Sequence, residues 1–128
     1  MSRYSHNKGR SKDTFMMLEY YIMDSAAYLS LSPNARSLLN MMIKRHNGHN
    51  NGEIAFSCRE AATLCNFGKN TGSQTFKELQ DKGFIRMTQN SGFNVKRRLS
   101  RRWLLTFKSA YGKPATHDWK KYTPKEKK

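Results

Sequence analysis

Between Ser57 and Ile85 the chain reads SCREAATLCNFGKNTGSQTFKELQDKGFI, two segments of helical apolar spacing with only Asn-Phe-Gly-Lys between them. Two short helices joined by so tight a glycine-containing turn pack on each other, and the rest of the chain has to be built around that pair. Ser57 followed by Glu60 is the capping-box pattern, in which each side chain satisfies the other residue's free backbone donor. Ala61, Ala62, Leu64 and Cys65 then form the apolar side of the first helix. The second is expected from about Thr71 to Lys82, with Phe76 and Leu79 inward and Gly83 as its stop. Gly72 and Thr75 are small enough to lie against the preceding helix.

Upstream, Phe15, Leu18, Ile22, Ala26 and Leu29 recur at helical spacing, which predicts a first helix over Phe15 to Leu29. LSPNARSLLNMMIKRHNG offers Ser32 as N-cap, Pro33 at the first helical position and Gly48 beyond the end, with Ala35, Leu38, Leu39 and Met42 as the buried stripe. HNGHNNGE is turn chemistry, and EIAFS after it reads as one strand. Beyond Gly83 the period changes: FIRMTQ alternates, NSGFN is turn-like, and RWLLTFK is a second strand candidate. The expected fold is α+β, a helical core with a C-terminal β-hairpin, over residues 15–108. Residues 1–14 read as a flexible basic arm, and 109–128 as a basic tail whose Tyr111, Trp119 and Tyr122 are placed to dock back on the domain.

Charge narrows the function. There are 24 Lys+Arg against 9 Asp+Glu, a net +15, which attracts a polyanion, nucleic acid before an anionic membrane. The N-terminus is polar, no apolar run approaches the ~20 residues of a membrane span, and two cysteines without a secretion signal suggest reduced thiols. The expected location is the cytoplasm.

The helix pair and the hairpin then acquire roles. A helix-turn-helix can lay its second helix in the major groove, and a hairpin after it acts as a wing beside the same duplex. The outward side of the second helix carries Asn70, Thr71, Ser73, Gln74 and Lys77. Gln74 suits bidentate pairing with adenine, Ser73 suits several bases, and Thr71 and Lys77 suit phosphates. The wing segment NVKRRLSRR holds Lys96, Arg97, Arg98, Arg101 and Arg102 without one acid, and Arg59 and Lys69 add charge around the turn.

These blocks resemble the winged helix-turn-helix superfamily, and within it a group of small bacterial, plasmid and phage proteins. The resemblance runs from about Phe15 to Trp119 and is carried by LSPNARSLL, HNGHNNGEIAFSCREAATL, FKELQDKGFI and RRWLLTF. It implies a winged helix fold and DNA binding by the Thr71 helix, where Thr71, Ser73, Gln74 and Lys77 match the outward positions. The chain departs from the pattern with Gly72 and Thr75 where alanine is usual, and Gln74 where arginine is frequent.

Other chemistries have less support. Cys58 and Cys65 are seven apart on one helix, about 10 Å along its axis, and no CxxC spacing exists; His46 and His49 lie in a turn without a nearby third ligand. FGKNTG only imitates a phosphate loop, since Thr63 and Asn70 stand where GxxxxGK[ST] needs Gly and Ser or Thr. No Ser or Cys can be set beside a His and an acid, so no enzyme, cofactor, metal or small-molecule substrate is expected. The leading expectation is a sequence-specific double-stranded DNA binder, a transcriptional regulator or a plasmid or phage replication-control factor. The alternatives are a winged-helix protein-interaction module, such as an inhibitor or adaptor, and an RNA binder acting through the arms. A homodimer is expected through the first helix, whose Met16, Met17, Tyr20, Tyr21 and Met23 exceed what one buried stripe uses; the C-terminal tail is the competing cover for Tyr20 and Met23.

Overall fold

The computed structural model describes residues 15–90, 92–93 and 98–124, with 92–93 and 98–99 described by backbone alone. The chain is mixed α+β: five α-helices, a three-stranded antiparallel sheet and a short two-stranded ladder among the described residues. None of the described helices is long and apolar enough to cross a membrane.

The continuous helix expected over Phe15 to Leu29 is instead two short ones, α1 (Tyr20–Met23) and α2 (Ala26–Leu29). Ser25 causes the break. Its backbone is extended (φ −71°, ψ 153°), its Oγ accepts the Tyr28 amide at 3.1 Å, and it donates to the Ile22 carbonyl at 2.6 Å. A short hydroxyl side chain that bonds nearby backbone competes with the helix for the same groups. The break also rotates the stripe: Ile22, Ala27 and Tyr28 are buried, whereas Phe15, Ala26 and Leu29 are exposed.

α3 (Pro33–Arg45) follows the sequence closely. Ser32 Oγ accepts the Ala35 amide at 3.1 Å, Pro33 opens the helix, and Ala35, Leu38, Leu39 and Met42 are fully buried with Ile43 beside them. Its last turn carries Lys44 and Arg45, the sign that complements a helix C-terminus. In the turn after it, Asn51 is buried and does more than bend the chain. Its Oδ1 accepts the Leu105 amide at 2.7 Å, and its Nδ2 faces the carbonyls of Leu105, Lys108 and Ser109 at 2.9, 3.1 and 3.1 Å.

β1 (Ile54–Ala55) leads to α4 (Cys58–Cys65) and α5 (Lys69–Asp81), and then to β2 (Ile85–Gln89). β3 (Gly92–Phe93) pairs with β4 (Arg98–Leu99), so part of the segment read as turn-like is ladder. β5 (Arg102–Leu105) lies at the centre of the sheet, in the order β1-β5-β2. Its register sets Ile54 opposite Trp103, and Ile85 opposite Leu105. The β2–β5 register shifts between Met87 and Gln89, where Gln89 Nε2 donates to the Ser100 carbonyl at 2.7 Å.

Two aromatic groups fill the core. Phe76 of α5 stacks on Trp103 of β5 with centroids 4.7 Å apart and planes 9° apart, and meets Phe56 edge-on at 6.0 Å. Trp103 Nε1 donates to the Phe56 carbonyl at 2.9 Å. Phe84 forms the second centre, edge-on to Tyr28 and Phe107 and stacked on Trp119 at 6.4 Å. Trp119 comes from a 3-10 turn (Asp118–Lys121) in the segment set aside as a tail, and Asp118 binds Arg86 at 2.8 Å. At Gly83 (φ +86°) an added Cβ would lie 2.7 Å from the Asp118 backbone, so a side chain there would push this segment off.

Candidate nucleic-acid interface

The helix pair is built from its caps outward. Ser57 Oγ accepts the Glu60 amide and Glu60 Oε1 accepts the Ser57 amide, each at 3.1 Å, completing the expected capping box. Arg45 reaches the same carboxylate at 3.1 Å and lies over the Phe56 ring at 4.2 Å. Burial pushes the Glu60 carboxyl up, but the hydrogen bonds from Arg45 and Ser57 outweigh it and hold the group below its ordinary range. α4 ends at Asn66 in the left-handed conformation (φ 60°), which asparagine tolerates better than most side chains.

The apolar side of α4 is narrower than its composition suggests. Ala61 is buried, Cys58, Ala62 and Cys65 are half-buried, and Leu64 is exposed. At about 100° per residue, Leu64 lies well round from a face centred on Cys58, Ala61 and Cys65.

α5 begins at Lys69, earlier than the expected Thr71, so Lys69 and Asn70 join its first turn. Its N-cap, Gly68, offers no side-chain acceptor. Gly72 lies close against α4: an added Cβ would lie 3.2 Å from the Cys58 carbonyl oxygen and 3.4 Å from Phe67. Thr75 is buried and returns its hydroxyl to the Thr71 carbonyl at 2.6 Å. With Phe76 and Leu79 these residues form the inner face, as expected. Asn70, Ser73, Gln74 and Lys77 are exposed on the outer face, and Thr71 is half-buried at its edge. Lys77 is not free there, since its Nζ lies 2.8 Å from Asp81, an acid on the same outer stripe. Glu78 turns the other way and accepts from the Ser32 amide and hydroxyl at 2.8 and 2.7 Å, tying α5 to the start of α3.

The basic residues of the hairpin divide. Lys96 and Arg97 lie outside the described residues, and so does the side chain of Arg98, whose backbone is in β4. Arg101 donates from Nη1 to Cys58 Sγ at 3.2 Å. Arg102 goes elsewhere: it is exposed and comes to 4.0 Å from Glu53. Arg59 and Lys69 are exposed, on the second residue of α4 and the first of α5. Arg101, Cys58 and Gly72 therefore form a chain of close contacts from the base of the hairpin, across the start of α4, to the second turn of α5. Sequence reasoning weighed Cys58 only as a metal ligand and missed it as this link; the signal was its place as the first residue after the capping serine.

Glu53, Glu60, Glu78, Asp81 and Asp118 are each within ion-pairing distance of a base. Among the described residues no acid lies within that distance of Arg59, Lys69 or Arg101. The exposed Arg59 and Lys69 and the exposed Asn70, Ser73 and Gln74 are cations and hydrogen-bonding side chains of the kind that contact an extended anion. Comparisons of the chain with protein families, curated proteins and solved structures give no match.

Proposed function

We propose that the fold is a winged helix-turn-helix and that the protein binds double-stranded DNA sequence-specifically, as a transcriptional regulator or a plasmid or phage replication-control factor. In this reading α5 enters the major groove, where Gln74 and Ser73 meet base edges while Asn70, Thr71, Lys69 and Lys77 meet the backbone. Lys77 exchanges Asp81 for a phosphate, an exposed ion pair of little intrinsic strength. The hairpin, with Arg101 at its base, lies along the backbone or the adjacent minor groove, and Arg59 extends the cationic surface on the α4 side.

The observation that carries the reading is the contact chain Arg101–Cys58–Gly72, which joins the basic hairpin to the helix whose outer face is polar. The element order from α3 onward, helix, strand, helix, helix and then strands β2 to β5, and the net charge of +15 agree with it. Selection of bound fragments from random duplex DNA, followed by sequencing, is the test. Enrichment of a defined motif supports the proposal; retention of no duplex at low ionic strength overturns it.

A further inference from the structure

We infer that the exposed apolar face of the N-terminal segment is the docking site for a second copy of this chain. This assignment goes beyond DNA binding and does not depend on it. Six of the nine large apolar side chains exposed among the described residues fall within Phe15–Met23. Phe15 and Tyr20 are 83% and 82% exposed. The C-terminal segment covers only part of this face: Trp119 and His117 contact Tyr21, with centroids 5.6 and 6.1 Å away. So many exposed large apolar side chains within nine residues go beyond the single scattered ones of an ordinary monomer surface. A large aromatic side chain offers ~150–250 Å², so the patch supplies several hundred Å², the scale of the ~800 Å² per partner in a standard interface.

Charge identifies the occupant. From Asp13 to Ala35 there is no Lys or Arg, the longest such stretch in a chain with 24 of them, while Asp13, Glu19 and Asp24 are acids. Glu19 and Asp24 are also the acids without an ion-pair partner among the described residues. A phosphate backbone or an anionic lipid surface finds fewer cations along this segment than along any other of its length. Two copies of a chain carrying +15 repel each other at its cationic faces, and this face is where that repulsion is least. A two-fold contact also needs a self-complementary patch. Lys120 supplies the opposite sign at the rim, with Nζ 5.8 Å from the Tyr21 ring centroid, so that Glu19 and Asp24 of one copy can meet Lys120 of the other.

Sedimentation velocity of the full chain without DNA tests this, so that the outcome is independent of whether the protein binds duplexes. The expected result is a dimer at micromolar concentration. The double variant Met17→Arg, Tyr20→Arg should weaken it by about tenfold or more with unchanged circular dichroism, since both side chains are exposed. Glu19→Lys with Asp24→Lys should also weaken it, most at low salt. A wild-type monomer throughout the micromolar range, or undiminished dimerisation in both variants, overturns the proposal. So does flotation of a monomeric protein with phosphatidylserine vesicles that is lost in the Met17, Tyr20 variant.

Discussion

The Phe76 ring lies flat on Trp103, 4.7 Å between centroids and 9° from parallel, so α5 and the central strand β5 are joined through one buried contact. Both rings are essentially inaccessible to water. Because β5 leads directly out of the hairpin, this stack sets the position of the proposed reading helix relative to the proposed wing. Phe76→Ala should cost about 3–5 kcal/mol, a large share of the ~5–15 kcal/mol that holds a typical domain. Urea denaturation followed by tryptophan fluorescence measures it. A loss below about 1 kcal/mol would mean that the site collapses around the missing ring.

Asn51 makes a second prediction. Its amide joins the turn after α3 to the end of β5 through one accepted and three donated contacts, all from a buried side chain. Asn51→Ala leaves the Leu105 amide and several carbonyls without that partner and should destabilise by about 1–3 kcal/mol. Asn51→Asp should be no better, because a carboxylate can accept from Leu105 but presents oxygen to three carbonyls. Thermal unfolding of the two variants against wild type decides it.

Stability should fall as pH falls, in two stages. Burial, then Lys108 and His49, hold His46 below its ordinary 6.5, so the unfolded chain takes up this proton first and stability declines as pH drops below that value. Glu60, Glu78 and Asp118 are shifted by burial upward, but hydrogen bonds from Arg45 and Ser57, from Ser32 and Lys82, and from Arg86 and Thr116 hold each below its ordinary value. A depressed carboxyl contributes fully above its unfolded value and loses that contribution as pH falls through its folded one. The second decline should therefore begin near pH 4.5, the ordinary glutamate value, and continue downward. Denaturation midpoints measured across the acid range should show both stages. Glu78→Gln should shrink the lower one.

Gln74→Ala and Lys77→Ala separate reading from holding. Gln74 is exposed at the middle of the outer face, where its amide is free to address a base edge. Its removal should change which fragments are selected, at about 1–3 kcal/mol of discrimination at one base pair. Lys77→Ala should lower affinity for all fragments alike. Sequencing of selected duplexes distinguishes the two patterns.

Much of the fold was legible because local chemistry decides it. The Ser32 cap with Pro33, the Ser57–Glu60 capping box and the inward Phe76 and Leu79 are short-range patterns, and they stand where the sequence puts them. The break at Ser25 was hidden because apolar spacing across residues 15–29 fits a helix, while a serine that caps and bonds backward overrides it. The Asn51 clamp is legible only as turn chemistry, since its partner Leu105 is 54 positions away. For the site, the outer face of α5 follows from helical period. The divergence of Arg101 and Arg102 does not, because it depends on Cys58 and Glu53, brought to either residue by the tertiary fold.

The most direct test of the proposed DNA-binding surface is the salt dependence of duplex affinity in wild type, Arg101→Ala and Arg102→Ala, measured by fluorescence anisotropy on a selected duplex. A linear fall of log affinity with log salt is expected in wild type. Arg101→Ala should weaken binding to every duplex and lower the slope by about 1, and Arg102→Ala, beside Glu53, should do less. Affinity and slope unchanged in Arg101→Ala, or no binding by wild type at low salt, would contradict a surface shared by α5 and the base of the hairpin.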